Sequence, residues 1–233
     1  MARLRSFLTP PSLRAAHLIA CGALIACASL LAPERSHAES SHDRDTVYQL
    51  SQAMRARIAV SYTKTGRTIP AYHCRHAPEG CETRLSTFAQ YLVEAGTQHG
   101  LDPWLMAAMA FKESGFNPFA LGSLGELGIL QINPGRRDAK QVRFIRDEWY
   151  RRRCRKEPGA CQREVIEHAA QLLSRSLERC DRDVKDALGL YNTGRCGGND
   201  RYAKRILEER EQLLKAAGVT PKPEQLAVAS PRS

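Results

Sequence analysis

Apolar side chains fall into helical stripes separated by glycine- and proline-bearing breaks. In "DTVYQLSQAMRARIAV" (45–60), Val47, Leu50, Met54 and Ile58 recur at three- and four-residue spacing behind an aspartate suited to capping, which predicts an amphipathic helix. Residues 61–82 show no period, and Gly66, Pro70, Pro78 and Gly80 mark them as loop. From Thr83 the stripe Phe88, Leu92, Ala95 predicts a second helix, ended by Gly100. A third follows at once. Asp102 accepts the free amides of a first turn and Pro103 sits where a missing N–H is harmless, so "WLMAAMAFKES" runs as helix to Gly115.

The stretch "LGSLGELGILQINPG" is too broken by glycine for a long helix and too apolar for a solvated loop; it predicts a short β-hairpin or tight turns around residues 121–134. Arg136 to Lys156 is crowded with arginine and reads as a solvated, partly helical face, with contact to a polyanion or substrate as the alternative. In "QREVIEHAAQLLSRSLER" (162–179), Val165, Ile166, Ala169, Leu172, Leu173 and Leu177 share one helix side, and His168 near that side reads as a packed residue. A short helix, "DVKDALGLYN", ends at Gly194, and residues 201–215 form a last charged helix. The pattern is all-α, without internal repeats.

The length of 233 residues and the hydrophobic fraction of 42% suit one domain plus extras. The division expected is a signal peptide at 1–38, an N-terminal extension at 39–82, a catalytic domain at 83–215 and a disordered tail at 216–233, rich in Pro, Ala and Ser. The signal is read from Arg3, Arg5 and Arg14 before the run "AAHLIACGALIACASLLA", with "SHA" at 36–38 and cleavage after Ala38. Two alternatives stay open: an uncleaved anchor, since the run just spans a bilayer, and acylation, since "LIAC" at Cys21 and Cys27 resembles the bacterial lipobox. Membrane attachment is expected only on one of those routes.

Net charge is +10, and removing four arginines and one glutamate with the signal leaves +7. Such a chain is drawn to polyanions, including the acidic polymers of a bacterial wall; export argues against nucleic acid. Six cysteines remain beyond the signal, an even number that predicts three disulfides in an oxidising compartment. Two C-x6-C spacings and one remaining couple favour neighbours: Cys74 with Cys81, Cys154 with Cys161, Cys180 with Cys196. The rival for the first is zinc on His73, Cys74, His76 and Cys81, but exported thiols usually oxidise, so no metal is expected.

One charge sits oddly. Met106, Met109, Ala110 and Glu113 share a helix face, so a carboxyl group projects from the side that should meet the core. Burial raises a carboxyl pKa, and an acid still protonated near neutrality is a candidate general acid. Around it "ESGFNP", then "GELGILQINP", then "ALGLYNTG" resemble, in order, the three signature segments of the lytic transglycosylase domain of the soluble-lytic-transglycosylase type, related in fold to goose-type lysozyme. The resemblance covers roughly residues 84–210.

It implies a mostly helical, lysozyme-like fold with Glu113 as catalytic acid and base, Ser114 holding that carboxyl group and the sugar, and Gly128 leaving space for glycan beside Gln131. Tyr191 and Asn192 are implied to orient the acid and contact substrate. Read one by one, Gly125 and Gly128 are turn glycines, Gln131 a loop amide and Tyr191 a packing aromatic. Leu190 departs from the family's usual Ala, and either narrows a subsite or repacks the core. The implied reaction cuts the β-1,4 bond between N-acetylmuramic acid and N-acetylglucosamine in the cell envelope or periplasm, forms a 1,6-anhydro end without water, and needs no cofactor. Alternatives are a hydrolysing goose-type lysozyme, with Asp138 or Glu126 as second carboxylate, and a non-catalytic peptidoglycan-binding protein of the same fold. The segment "LQIN" resembles small transglycosylases associated with secretion or conjugation machines.

Overall fold

The computed structural model describes residues 41–61 and 68–220. The expected signal at 1–38 and the tail beyond 220 lie outside the described residues. Helix α1 spans Ser41–Ile58, and strands β1 (Ala59–Ser61) and β2 (Thr68–Pro70) pair antiparallel with Val60 opposite Ile69. A one-turn helix α2, Tyr72–Arg75, leads into α3, Cys81–His99. Within the stretch read as an aperiodic loop, the described residues 68–75 form a strand and a one-turn helix, because elements of three or four residues are too short to show a period.

Helix α4 spans Pro103–Ser114. It opens as its sequence requires: the Asp102 carboxylate accepts the Trp104 amide at 2.9 Å, and Pro103 occupies the first turn. Every residue from Trp104 to Ala110 is buried, so α4 is surrounded on all sides and forms the centre of the fold. Short helices α5 (Arg143–Arg146) and α6 (Glu148–Arg153) follow, then α7 (Arg163–Arg179), α8 (Val184–Thr193) and α9 (Asp200–Ala217). The last helix runs two residues past the expected end at 215, to an αL cap at Gly218. Among the described residues, no helix is long and apolar enough to cross a membrane.

The segment preceding the expected catalytic domain shares its core. Leu50, Ala53 and Met54 of α1 are fully buried, and α1 packs on α3 and α9. Glu209 of α9, 1% exposed, joins three helices: Arg57 of α1 lies 2.6 Å from one of its oxygens and Lys112 of α4 2.7 Å from the other. A buried carboxylate is tolerated only with such partners. Arg84 of α3, also buried, holds Glu79 through two bonds of 2.8 and 3.0 Å and donates to the His73 carbonyl, which fastens residues 71–80 to α3. Disulfides join Cys74 to Cys81, Cys154 to Cys161 and Cys180 to Cys196. The His168 ring is buried beside Asp138, Arg175 and Arg136, whose charges act on it.

Candidate active site

Glu113 lies in the last turn of α4, just before Ser114 and the αL cap at Gly115. Helices α4 and α9 run antiparallel. Buried Arg210 of α9 meets Asp102 at the start of α4, and Tyr202 in the first turn of α9 meets Glu113 at its end. The Tyr202 hydroxyl donates to Glu113 Oε1 at 2.5 Å. Burial pushes the Glu113 carboxyl up to about 6; the Tyr202 bond opposes the rise and the charge of Glu126 adds to it. Burial first and the Glu113 charge second push both Tyr191 and Tyr202 well above an ordinary phenol, so each stays a neutral donor.

The other expected residues converge on one stretch of backbone, 128–131. Ser114 Oγ lies 2.8 Å from the Ile129 carbonyl oxygen and 3.0 Å from that of Ala110, and its single proton is shared between them. Tyr191 donates to the Leu130 carbonyl at 3.0 Å. Gln131, at a positive φ of 48°, turns its amide nitrogen back onto the carbonyls of Gly128 and Ala120 at 3.0 and 3.1 Å. In 121–134 the backbone makes tight turns with two isolated bridges, Leu121 to Leu127 and Leu127 to Ile132. The three motifs thus hold one loop against the end of α4.

The geometry gives four of the expected residues partners within the protein. Ser114 directs its proton to the backbone carbonyls of Ala110 and Ile129, which ties the loop to α4. Tyr191 lies close enough to feel the Glu113 charge, but its hydroxyl is bonded to the loop. Asn192 accepts from Asn199 at 2.9 Å, and Asn199 caps α9 by accepting the Tyr202 amide at 3.0 Å, so Asn192 acts on the acid through Tyr202. At Gly128, where φ is +81°, a Cβ would stand 2.9 Å from Gln162 Oε1 and 3.3 Å from Phe144, so protein occupies the side that a larger residue would need. Gln162 is fully buried and accepts the Ile129 amide at 3.0 Å.

Tyr202 was not singled out from sequence. It stands outside the three signature segments, and the signal that marks it is a polar-tipped aromatic sharing the buried stripe of Ile206, Arg210 and Leu213. His73 was read only as a rival metal ligand. Burial and then Arg84 hold its pKa down, while the Gly115 backbone acts the other way, so residues 71–80 lie near the end of α4 that carries Glu113. Leu190 is buried in the core.

Asp138 lies 3.0 Å from Arg175 and 3.2 Å from Arg136, and those cations hold its carboxyl below the usual range against the opposing effect of burial. Glu126 Oε2 accepts the Leu124 amide at 3.0 Å, within its own turn. Of the carboxylates among the described residues, only Glu113 combines partial burial, a single neutral donor and a pKa of about 6.

A family model described as Transglycosylase SLT domain matches residues 90–212, from within α3 to within α9, and takes in Glu113, the loop that holds it and Tyr202. With more than half its length under that match and a lysozyme-like helical fold around the half-buried Glu113, the chain belongs to the transglycosylase SLT family, whose members act on the peptidoglycan outside the cytoplasm.

Proposed function

We propose that the protein cleaves the β-1,4 bond between N-acetylmuramic acid and N-acetylglucosamine without water, with Glu113 acting first as acid and then as base. The supporting observation is the Glu113 carboxyl group itself: half-buried, pushed up to about 6 and held by one phenol. An acid with a pKa of about 6 keeps about a tenth of its molecules protonated at pH 7 and more below it, and once ionised is a competent base.

The protonated carboxyl gives its proton to the glycosidic oxygen, and the N-acetylglucosamine side leaves as a free 4-hydroxyl. The acetamido oxygen of the muramoyl residue attacks C1, giving an oxazolinium ion. The Glu113 carboxylate takes the proton of the muramoyl 6-hydroxyl, O6 bonds to C1, and the C1 to acetamide-oxygen bond breaks. Glu113 ends protonated, and no water is consumed. Substrate-assisted routes of this kind dispense with the second carboxylate of ordinary glycosidases. Tyr202 fixes the acid, and the 128–131 loop shapes the surface against which the sugar lies.

Hydrolysis is the second reading, favoured by one observation: the Glu126 charge reaches Glu113. Digestion of purified sacculi in heavy-oxygen water separates the two. Unlabelled products lighter by one water are expected; reducing ends carrying the heavy oxygen would establish hydrolysis. Such a substrate places the protein in the envelope, in agreement with three disulfides, and export by a cleaved signal is part of the proposal. Assignment to a secretion or conjugation machine rests on "LQIN" alone.

A further inference from the structure

A pocket of about 130 Å³ opens between α7 and α8, lined by Arg136, Arg175, Arg179, Leu190, Tyr191 and Gly194, among others. Its only carboxylate partner is Asp138, which binds Arg136 through Nε and Nη2 and Arg175 through Nη2. Three guanidinium groups against one carboxylate leave the pocket cationic. Arg179 is exposed and makes no ion pair among the described residues, while its backbone is held by the Cys180–Cys196 disulfide that follows. Tyr191 ties the pocket to the active-site loop: it lines the recess, and its hydroxyl donates to the Leu130 carbonyl at 3.0 Å, within the 128–131 stretch held against the end of α4.

Arginines at the end of α7 complement its dipole, but that does not account for Arg136, which arrives from the loop after 128–131 to face the same space. A positively charged recess of this size suits a carboxylate bound through paired N–H donors. Peptidoglycan carries such groups beside the bond cut, because the peptide stem hangs from C3 of the muramoyl ring, two ring atoms from C1, and bears free carboxylates. Resting on the function proposed above, we infer that the Arg136–Arg175–Arg179 pocket binds a carboxylate of the stem peptide on the muramoyl residue being cleaved, and so selects peptide-bearing strands.

The test compares kcat/KM on uncross-linked, peptide-bearing glycan strands with kcat/KM on the same strands stripped of stems by an amidase, for wild type, Arg179→Gln and Arg136→Gln/Arg179→Gln. Both substrates meet one preparation, so partial unfolding lowers both rates and leaves their ratio unmoved. The ratio of peptide-bearing to stripped strands is expected to fall about tenfold in Arg179→Gln, the size of a lost charge-assisted bond, and further in the double variant. An unchanged ratio overturns the inference while leaving the proposed function intact. A greater loss on stripped strands also overturns it, since the lactyl carboxylate freed by the amidase would then be the ligand. If wild type cuts neither substrate, the proposed function falls, and this inference with it.

Discussion

The hydroxyl of Tyr202 and the carboxylate of Glu113 meet at 2.5 Å across 89 residues of sequence, joining the first turn of α9 to the last turn of α4. This bond sets where the acid points and limits how far burial raises its pKa.

Tyr202→Phe removes the one donor that lowers the Glu113 pKa and leaves burial in place. The alkaline limb of kcat/KM, set by loss of the Glu113 proton near pH 6, should therefore move to higher pH. The rate should fall about tenfold to a hundredfold as the acid loses its orientation. Tyr191→Phe lowers the rate by freeing the 128–131 loop but leaves that limb in place, because its hydroxyl bonds Leu130. Equal limbs in both variants would show that Tyr202 does not hold the acid.

Glu113 should also oppose folding above neutral pH. Its folded pKa of about 6 exceeds the ordinary 4.5, so between those values the folded state binds more protons and stability falls as pH rises. Glu113→Gln lacks that penalty. Its melting temperature should match wild type near about pH 4 and exceed it by a few degrees above about pH 7, with up to about 2 kcal/mol gained. A gain that grows as pH falls would reverse the sign and show the carboxylate to be stabilised by the fold.

Gly128→Ala places a methyl group 2.9 Å from Gln162 Oε1 at φ +81° and should cost about 1–3 kcal/mol of stability, read from thermal melts. Gly125→Ala, with φ +88° but Pro134 as its nearest neighbour at 4.0 Å, should cost less. Gly128→Ala with an unchanged melt and lost sacculus binding would assign that space to the glycan.

What the sequence showed and what it hid divide by range. Long stripes such as Leu92 with Ala95, or Ile166 with Leu173, survive as α3 and α7 because each spans several turns of one period. The Asp102 and Pro103 start of α4 was readable because capping is local. Ala59–Ser61 and Thr68–Pro70 were not, being too short for alternation to register. At the site, Glu113 could be named from its helix face and motif, yet the Ser114 bond to the Ile129 carbonyl and the Tyr202 bond to Glu113 depend on how distant elements pack. Neither leaves a local pattern. Gly128 shows the same limit: its need for glycine was visible, but its cause, the buried Gln162, lies 34 residues on.

That one glutamate carries both proton transfers is best tested by digesting purified sacculi with wild type and Glu113→Gln and measuring anhydro-muropeptides by mass spectrometry, beside thermal melts and sacculus pull-down. Wild type should release anhydro-muropeptides. The variant, folded and still bound to sacculi, should release fewer by at least about 10⁴-fold, the upper end for a general acid–base group, because an amide can neither give nor take the proton. Substantial anhydro product from the folded variant would contradict this reading and place the chemistry on another residue.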